Sequence, residues 1–194
     1  MKLTCKMFCA VGALGFSLLF TPVSSAAQNS SDQKMDSGSQ KMAKSADTAF
    51  AMKAAQGGVA EVQLGKLAAE KGGSPEVKAF GQQMVDDHSK ANDQLKAVAE
   101  KENMTLPTTM NAKDQALYNK LQTMSGANFD KTYVKAMVKD HEEDIKEFKK
   151  EADHGKNEQI KNFASTTLPV LQGHLDKIKG IESTMKSGGS GSKM

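Results

Sequence analysis

Apolar residues recur three and four positions apart through most of the chain, which is the spacing of one face of an α-helix. Glycine-containing turns and a proline-containing connection interrupt this pattern and divide it into four long segments. The pattern therefore predicts four long helices, over residues 47–71, 75–102, 128–153 and 158–185. Together they form one domain over residues 47–186, which is long enough to enclose a single hydrophobic core.

The links between these helices predict how they are arranged. Gly72 follows the first helix, and Ser74 and Pro75 provide an N-cap and a first helical position for the second. The first and last pairs are joined by short turns, so each pair forms an antiparallel hairpin. Roughly 25 residues, including a short helix that ends near Met124, join the two hairpins. Two hairpins and one long crossover predict an all-α, ferritin-like antiparallel four-helix bundle.

Each long helix carries one ionisable residue in an otherwise apolar seam: Glu61, His88, His141 and His174. Each residue lies within about three positions of the middle of its helix, which is an axial spread of about 4 Å at a rise of 1.5 Å per residue. Helix midpoints share one level in an antiparallel bundle. We therefore expect these four side chains to meet in the core.

Three imidazoles and one carboxylate at one level form a candidate site for a single transition metal, with Fe, Mn, Zn and Cu as suitable ions. Asp87, Asp140 and Asp144 are candidate partners for the imidazole N–H groups. The alternative is a metal-free polar layer that fixes the register of the helices, as single polar residues do in coiled coils. Seam methionines next to the histidines, Met84 and Met137, are interpreted as core filler.

The two ends of the chain are predicted to lie outside the bundle. Residues 1–26 have a positive start, an apolar stretch and a small-residue ending, which predict a cleaved signal peptide and a periplasmic or secreted protein. Residues 27–46 are polar and predict a disordered linker, and residues 187–194 predict a flexible tail. Both cysteines, Cys5 and Cys9, lie in the leader, so thiolate zinc sites and iron–sulfur clusters are excluded from the mature chain.

Charge and composition remove further classes of function. The chain has 26 basic and 23 acidic residues, and every basic residue is a lysine. Without the bidentate guanidinium fork of arginine, and with few aromatic residues, we expect no nucleic-acid partner. No apolar run after the leader is long enough for stable membrane insertion. The mature chain contains neither a cysteine nucleophile nor a Gly-x-Ser-x-Gly motif, so the sequence does not indicate a hydrolase.

Several runs of sequence resemble a ferritin-like family of exported bacterial proteins of unknown function, often labelled outer-membrane or envelope proteins. The runs are Gly57–Gly65, Met84–His88, Ser125–Asp130 and Leu168–His174. The resemblance implies a ferritin-like bundle in the bacterial envelope and assigns no catalytic residue. The chain departs from di-iron carboxylate proteins, because Val85 and Leu171 stand where a glutamate would precede His88 and His174 by three positions.

These observations predict an exported bundle that binds one transition metal at Glu61, His88, His141 and His174, for metal handling or protection of the envelope against stress. Two alternatives remain open at this level. One is a metal-dependent oxidoreductase that acts on reactive oxygen species, so enzymatic activity is undecided. The other is a structural or interaction module of the envelope whose polar core layer holds no metal.

Overall fold

A computed structural model describes the backbone of residues 31–188 and the side chains of residues 46–187; the predicted signal peptide and most of the predicted tail lie outside these ranges. The described chain is all-helical, as predicted, apart from an isolated backbone bridge between Gly72 and Gly126. Its five helices are α1 (Ser31–Lys71), α2 (Pro75–Lys101), α3 (Ala112–Gln122), α4 (Gly126–His154) and α5 (Glu158–Gly188).

The first helix begins earlier than the sequence predicted. α1 starts at Ser31, within the stretch 27–46 that was interpreted as a linker, rather than at Ser45 or Asp47. The apolar period that identifies this helix begins only at Phe50, so residues before it carry no hydrophobic signal for a helix. The predicted domain boundary at residue 47 stays a prediction.

Local capping chemistry explains where the other helices begin. The Ser74 hydroxyl accepts a hydrogen bond from the Val77 amide, and Pro75 occupies the first position of α2, where no amide donor is needed. Asn111 caps α3 in the same way through the amide of Asp114. α5 continues through Pro169, although proline cannot donate the usual helical hydrogen bond there.

Two helical hairpins build the bundle. α1 packs along α2, and α4 packs along α5; the hairpins then meet where α2 lies beside α5 and α1 beside α4. The α1–α2 interface is very close at Gly65 and Gly81. A Cβ atom on Gly65 would lie only 2.7 Å from the Gly81 carbonyl oxygen, so only glycine allows this approach.

Each hairpin turn is bound by a buried aspartate from the other hairpin. Asp130 of α4 accepts hydrogen bonds of 2.8 Å from the amides of both Gly73 and Ser74. Asp47 of α1 accepts from the amides of Lys156 and Asn157 in the α4–α5 turn. Amides that begin a helix have no intrahelical partner, so these buried carboxylates satisfy donors that the helices themselves leave unpaired.

The hydrophobic core consists of two clusters. One includes Leu64, Met84, Met137 and Ile178, and it extends to α3. The other contains Ala55, Leu95, Phe148 and Leu171 among its members. On α2, α4 and α5 the ionisable seam residue falls between the residues of these two clusters, and on α1 Glu61 directly follows Ala60 of the first cluster. The core is therefore divided by a polar layer at its middle.

Within residues 31–188, no helix combines the length and the apolar character needed to span a bilayer.

Candidate metal centre

The four ionisable seam residues meet in the middle of the bundle. Each comes from a different long helix, and all four are buried, with at most 4 % of any of them exposed. The imidazole rings form a triangle, with centroids 5.3 Å apart for His88 and His174, 5.5 Å for His141 and His174, and 6.0 Å for His88 and His141. The convergence expected from the helix midpoints is present in the structure.

Hydrogen bonds fix the proton positions of two of the rings. Nδ1 of His141 lies 3.0 Å from the carbonyl oxygen of Met137, and a carbonyl can only accept, so this nitrogen carries the proton. Nε2 of His174 lies 2.8 Å from Oδ2 of Asp87 and donates to that carboxylate. The second nitrogen of each ring is therefore an unprotonated lone-pair donor.

The carboxylate of Glu61 faces His88 and His141. Its Oε2 lies 2.8 Å from Nδ1 of His88, and its Oε1 lies 3.6 Å from Nε2 of His141, which is too far for a hydrogen bond. When Glu61 is ionised, His88 donates through Nδ1, and its Nε2 also presents a lone pair. A carboxylate behind a ligating imidazole raises the basicity of that imidazole and fixes the orientation of its ring.

Buried polar atoms without partners are concentrated in this layer. Nε2 of His88, Nε2 of His141, Nδ1 of His174 and Oε1 of Glu61 have no hydrogen-bond partner among the described residues. One ring nitrogen from each histidine lies within 4.8 Å of the others, a separation that one ion can bridge. A buried lone pair without a donor is costly, so three together indicate a ligand.

Burial also sets the charge of the imidazoles. It lowers the pKa of His88 to about 4, and it lowers that of His141 to about 3 with further help from the two neighbouring histidines. The pKa of His174 is lowered too, mainly by burial. Neutral imidazole is the form that ligates a metal, so near neutral pH these rings need not lose a proton to bind one.

A second group of ligand atoms lies against the first. One carboxylate oxygen from each of Glu61, Asp140 and Asp144 lies within 4.8 Å of the others. Burial, then the charges of Asp140 and Asp114, raise the pKa of Glu61 well above its ordinary value. Burial, then Glu61, raise the pKa of Asp144 to about 9, and burial, then Asp114, raise that of Asp140 to about 6.

The nearby lysines do not neutralise these carboxylates. Lys53 pairs with Glu147, and Lys113 lies 3.2 Å from Glu143. Among residues 46–187, neither Asp140 nor Asp144 has a basic partner within ion-pair distance. The exposed glutamates of α4 thus bind the lysines, and the carboxylates that face Glu61 stay without a counter-ion from the protein.

Small cavities adjoin the layer. One of about 20 Å³ is lined by Glu61, His88 and Asp144, together with apolar side chains, and it has room for one water-sized molecule. A surface groove of about 150 Å³ between α2 and α5 includes Asp87. Ala91 and Thr167 line both spaces, so the groove lies next to the inner cavity at these two residues.

The prediction that three aspartates bind imidazole N–H groups is confirmed for only one of them. Asp87 binds an imidazole, that of His174 on α5, whereas Asp140 and Asp144 lie with Glu61 instead. Met84 and Met137 are fully buried in a hydrophobic cluster, in agreement with core filler. Tyr133 lies on the apolar seam of α4 and is fully buried, and its hydroxyl has no partner among the described residues.

The fold is shared with two solved structures. A DUF305 fragment from Deinococcus radiodurans is similar with a TM-score of 0.62 and 11% identity, over 70% of this chain and 94% of that one. A DUF305 protein from Streptomyces coelicolor, described as secreted, is similar with a TM-score of 0.62 and 13% identity, over 73% of this chain and 92% of that one. At these identities the likeness shows the fold alone.

Sequence comparison reaches a family but no characterised relative. No curated protein matches the chain. The family model described as "Domain of unknown function (DUF4142)" matches residues 32–181, which include every helix of the bundle and all residues of the polar layer. The chain therefore belongs to the DUF4142 family.

Proposed function

We propose that the protein binds one transition-metal ion through His88, His141 and His174, with Glu61 as a further contact. The observation that carries the proposal is the orientation of the three imidazoles. The outer nitrogen of each has an acceptor, from Glu61, a backbone carbonyl or Asp87, the remaining nitrogens are buried and unpartnered, and one nitrogen from each ring lies within 4.8 Å of the others. This is the arrangement in which proteins hold ligating histidines.

The ligand chemistry limits which metal ions the site can hold. Three neutral imidazoles and a carboxylate suit Zn²⁺, Cu²⁺, Fe²⁺ and Mn²⁺, and the absence of a thiolate disfavours ions that require sulfur. The leader-like residues 1–26 support a periplasmic or secreted location, in which the protein would handle metal or protect the envelope against stress.

A ferritin-like topology is part of this proposal. Asp130 near the start of α4 binds the turn that starts α2, so these two helices begin at the same end of the bundle. The connection over residues 102–125 therefore has to return along the bundle, which supports the long crossover predicted from sequence.

Elemental analysis tests the metal site. The mature chain, isolated without an affinity tag from its native compartment, is compared with a His88→Ala/His141→Ala variant and with a His154→Ala control, whose histidine is exposed. We expect about one equivalent of a transition metal in the wild type and in the control, and none in the double variant. If the wild type contains no metal and takes up none on titration, the metal site is refuted and the polar layer has a structural role.

An oxidoreductase that acts on small oxygen species is a second candidate. It needs a redox metal with an open coordination position, and the cavity beside Glu61 and His88 supplies space for one small ligand. If the wild type loaded with a redox metal removes peroxide or superoxide from solution, and the zinc-loaded form does not, this activity is supported.

A further inference from the structure

The carboxylates beside the histidines form a second group of candidate cation ligands. One carboxylate oxygen from each of Glu61, Asp140 and Asp144 lies within 4.8 Å of the others, which is a set of ligand atoms that could hold one cation. The lysines of this face are paired with Glu143 and Glu147, so the described chain supplies no counter-charge in contact with the group.

A second observation points to a ligand here. Oε1 of Glu61 is buried and unpartnered, and Glu61 as a whole is only 2 % exposed. The same oxygen faces the unpartnered Nε2 of His141 at 3.6 Å. Glu61 and Asp144 also line the inner cavity of about 20 Å³, so two of the three carboxylates border a space for a small ligand.

We infer that Glu61, Asp140 and Asp144 bind a second, hard divalent cation next to the transition-metal ion, with Glu61 shared between the two ions. The inference rests on the proposed function for its neighbour, but its own ligands are separate except for Glu61. Carboxylate oxygens prefer hard cations such as Mn²⁺ and Mg²⁺, whereas imidazoles prefer later transition metals. The two halves of the layer therefore select different ions.

Glu61 is suited to a bridging position because it touches both halves. Its Oε2 lies 2.8 Å from His88, on the histidine side, and the carboxylate belongs to the group with Asp140 and Asp144. A carboxylate shared by two cations has its negative charge divided between them. Each ion then depends on the other through one side chain.

The test titrates Mn²⁺ into the full mature chain after it has been loaded with one equivalent of Zn²⁺, and follows binding by the loss of the electron paramagnetic resonance signal of free Mn²⁺. The variant is Asp140→Asn/Asp144→Asn. The matched control is Glu142→Gln/Asp153→Asn, which removes two carboxylates that pair with Lys179 and Lys149 on the surface of the same helix.

We expect the wild type and the control to bind one Mn²⁺ in addition to Zn²⁺, and the Asp140→Asn/Asp144→Asn variant to bind Mn²⁺ at least about tenfold more weakly while it retains Zn²⁺. Equal Mn²⁺ binding by the wild type and this variant would overturn the inference. So would an equal loss in the control, since that would show general surface attraction.

Two readouts separate this inference from the proposed function. Failure of the wild type to retain Zn²⁺ refutes the histidine site, whereas Zn²⁺ retention without Mn²⁺ binding refutes only the carboxylate site. Misfolding does not confuse the result, because replacing clustered carboxylates with amides removes repulsion. We expect the thermal midpoint of the metal-free Asp140→Asn/Asp144→Asn variant to equal or exceed that of the wild type.

Discussion

The buried charged side chains at the two ends of the bundle differ from those in its middle. Asp47 and Asp130 are as buried as the central residues, at 3 % and 4 % exposed, yet each accepts hydrogen bonds from two backbone amides of the opposite hairpin. In the central layer, Glu61 and all three histidines keep a buried atom without a partner. The same fold thus satisfies polar groups fully where they are structural.

This contrast gives the unpartnered atoms their meaning. A protein that matches buried aspartates to amides at both ends has no general difficulty in satisfying buried polar groups. Four of the six buried polar atoms without a partner among the described residues lie at this one level, where they are metal ligands by type; the other two are the Tyr133 hydroxyl and Oε1 of Glu151. The contrast supports the proposal that the central layer binds a ligand, whereas the two end aspartates stabilise the turns of the opposite hairpins.

Removing a central ligand should give the largest effect, and it should appear only with metal. Zinc at a thousandfold excess over its Kd should stabilise the wild type by about 4 kcal/mol. His141→Leu should lose this stabilisation, while the metal-free form changes by less than about 1.5 kcal/mol, because an apolar residue can replace a buried polar one. Urea denaturation with and without Zn²⁺ measures both. A zinc effect that survives in the variant would contradict the assignment of His141.

Removing an end aspartate should act without metal. Asp130→Ala leaves the amides of Gly73 and Ser74 without their acceptor in a partly buried turn, and we expect it to lower the free energy of unfolding by about 3 kcal/mol. Urea denaturation in the presence of a chelator measures the change. Asp153→Ala, at an exposed position on the same helix, is the control and should change stability by less than about 0.5 kcal/mol. A small effect of Asp130→Ala would remove the distinction between ends and middle.

Two glycines of α1, Gly65 and Gly57, test whether the close approach of α1 and α2 contributes to stability independently of the buried polar groups. Gly65→Ala places a Cβ 2.7 Å from the Gly81 carbonyl oxygen and should cost about 2 kcal/mol through a shift of α1 against α2. At Gly57 nothing lies within 4 Å of the added Cβ, so Gly57→Ala should stabilise the helix by about 0.5–1 kcal/mol. Thermal denaturation of the pair measures the difference. Equal effects would mean that the close approach does not limit the interface.

The smallest expected effect concerns Glu151, which lies near Asp47 and has one unpartnered oxygen. Burial, then Asp47, raise the pKa of Glu151 to about 7, against the nearby charges of Lys150 and Lys161. A carboxyl whose pKa is raised in the folded state destabilises that state as pH rises from the unfolded pKa, about 4.5, to about 7. We therefore expect Glu151→Gln to raise the thermal midpoint at pH 8 by a few degrees, and to change it little at pH 4.5.

The difference between the two proteins across this pH range is the relevant quantity, because other groups titrate in both. A constant difference between pH 4.5 and pH 8 would show that Glu151 does not ionise within this window.

The central layer could be predicted from sequence because its members interrupt apolar seams. His88 and His141 stand alone among apolar residues at helical spacing, and a shared depth follows from the lengths of the helices. The starts of α2 and α5 could also be predicted, because their signals are local in the sequence, like the Ser74 cap of α2.

The carboxylate group could not be derived in that way. Asp140 and Asp144 flank the seam of α4 among other charged residues, where their sequence looks like a solvated surface. Their proximity to Glu61 depends on how α4 lies beside α1, which the spacing within one helix does not determine. The same holds for Asp130, whose partners are 57 and 56 residues away in the chain.

The division into hairpins has a kinetic consequence. His88 belongs to the first hairpin, while His141 and His174 belong to the second, and contacts within each hairpin are local in sequence and can form early. An ion that joins all three imidazoles forms its bonds only after the hairpins have docked. Metal should therefore act chiefly on the unfolding rate, since it stabilises contacts that the transition state lacks. The rate of metal release would then set the lifetime of the state in which the two hairpins are docked.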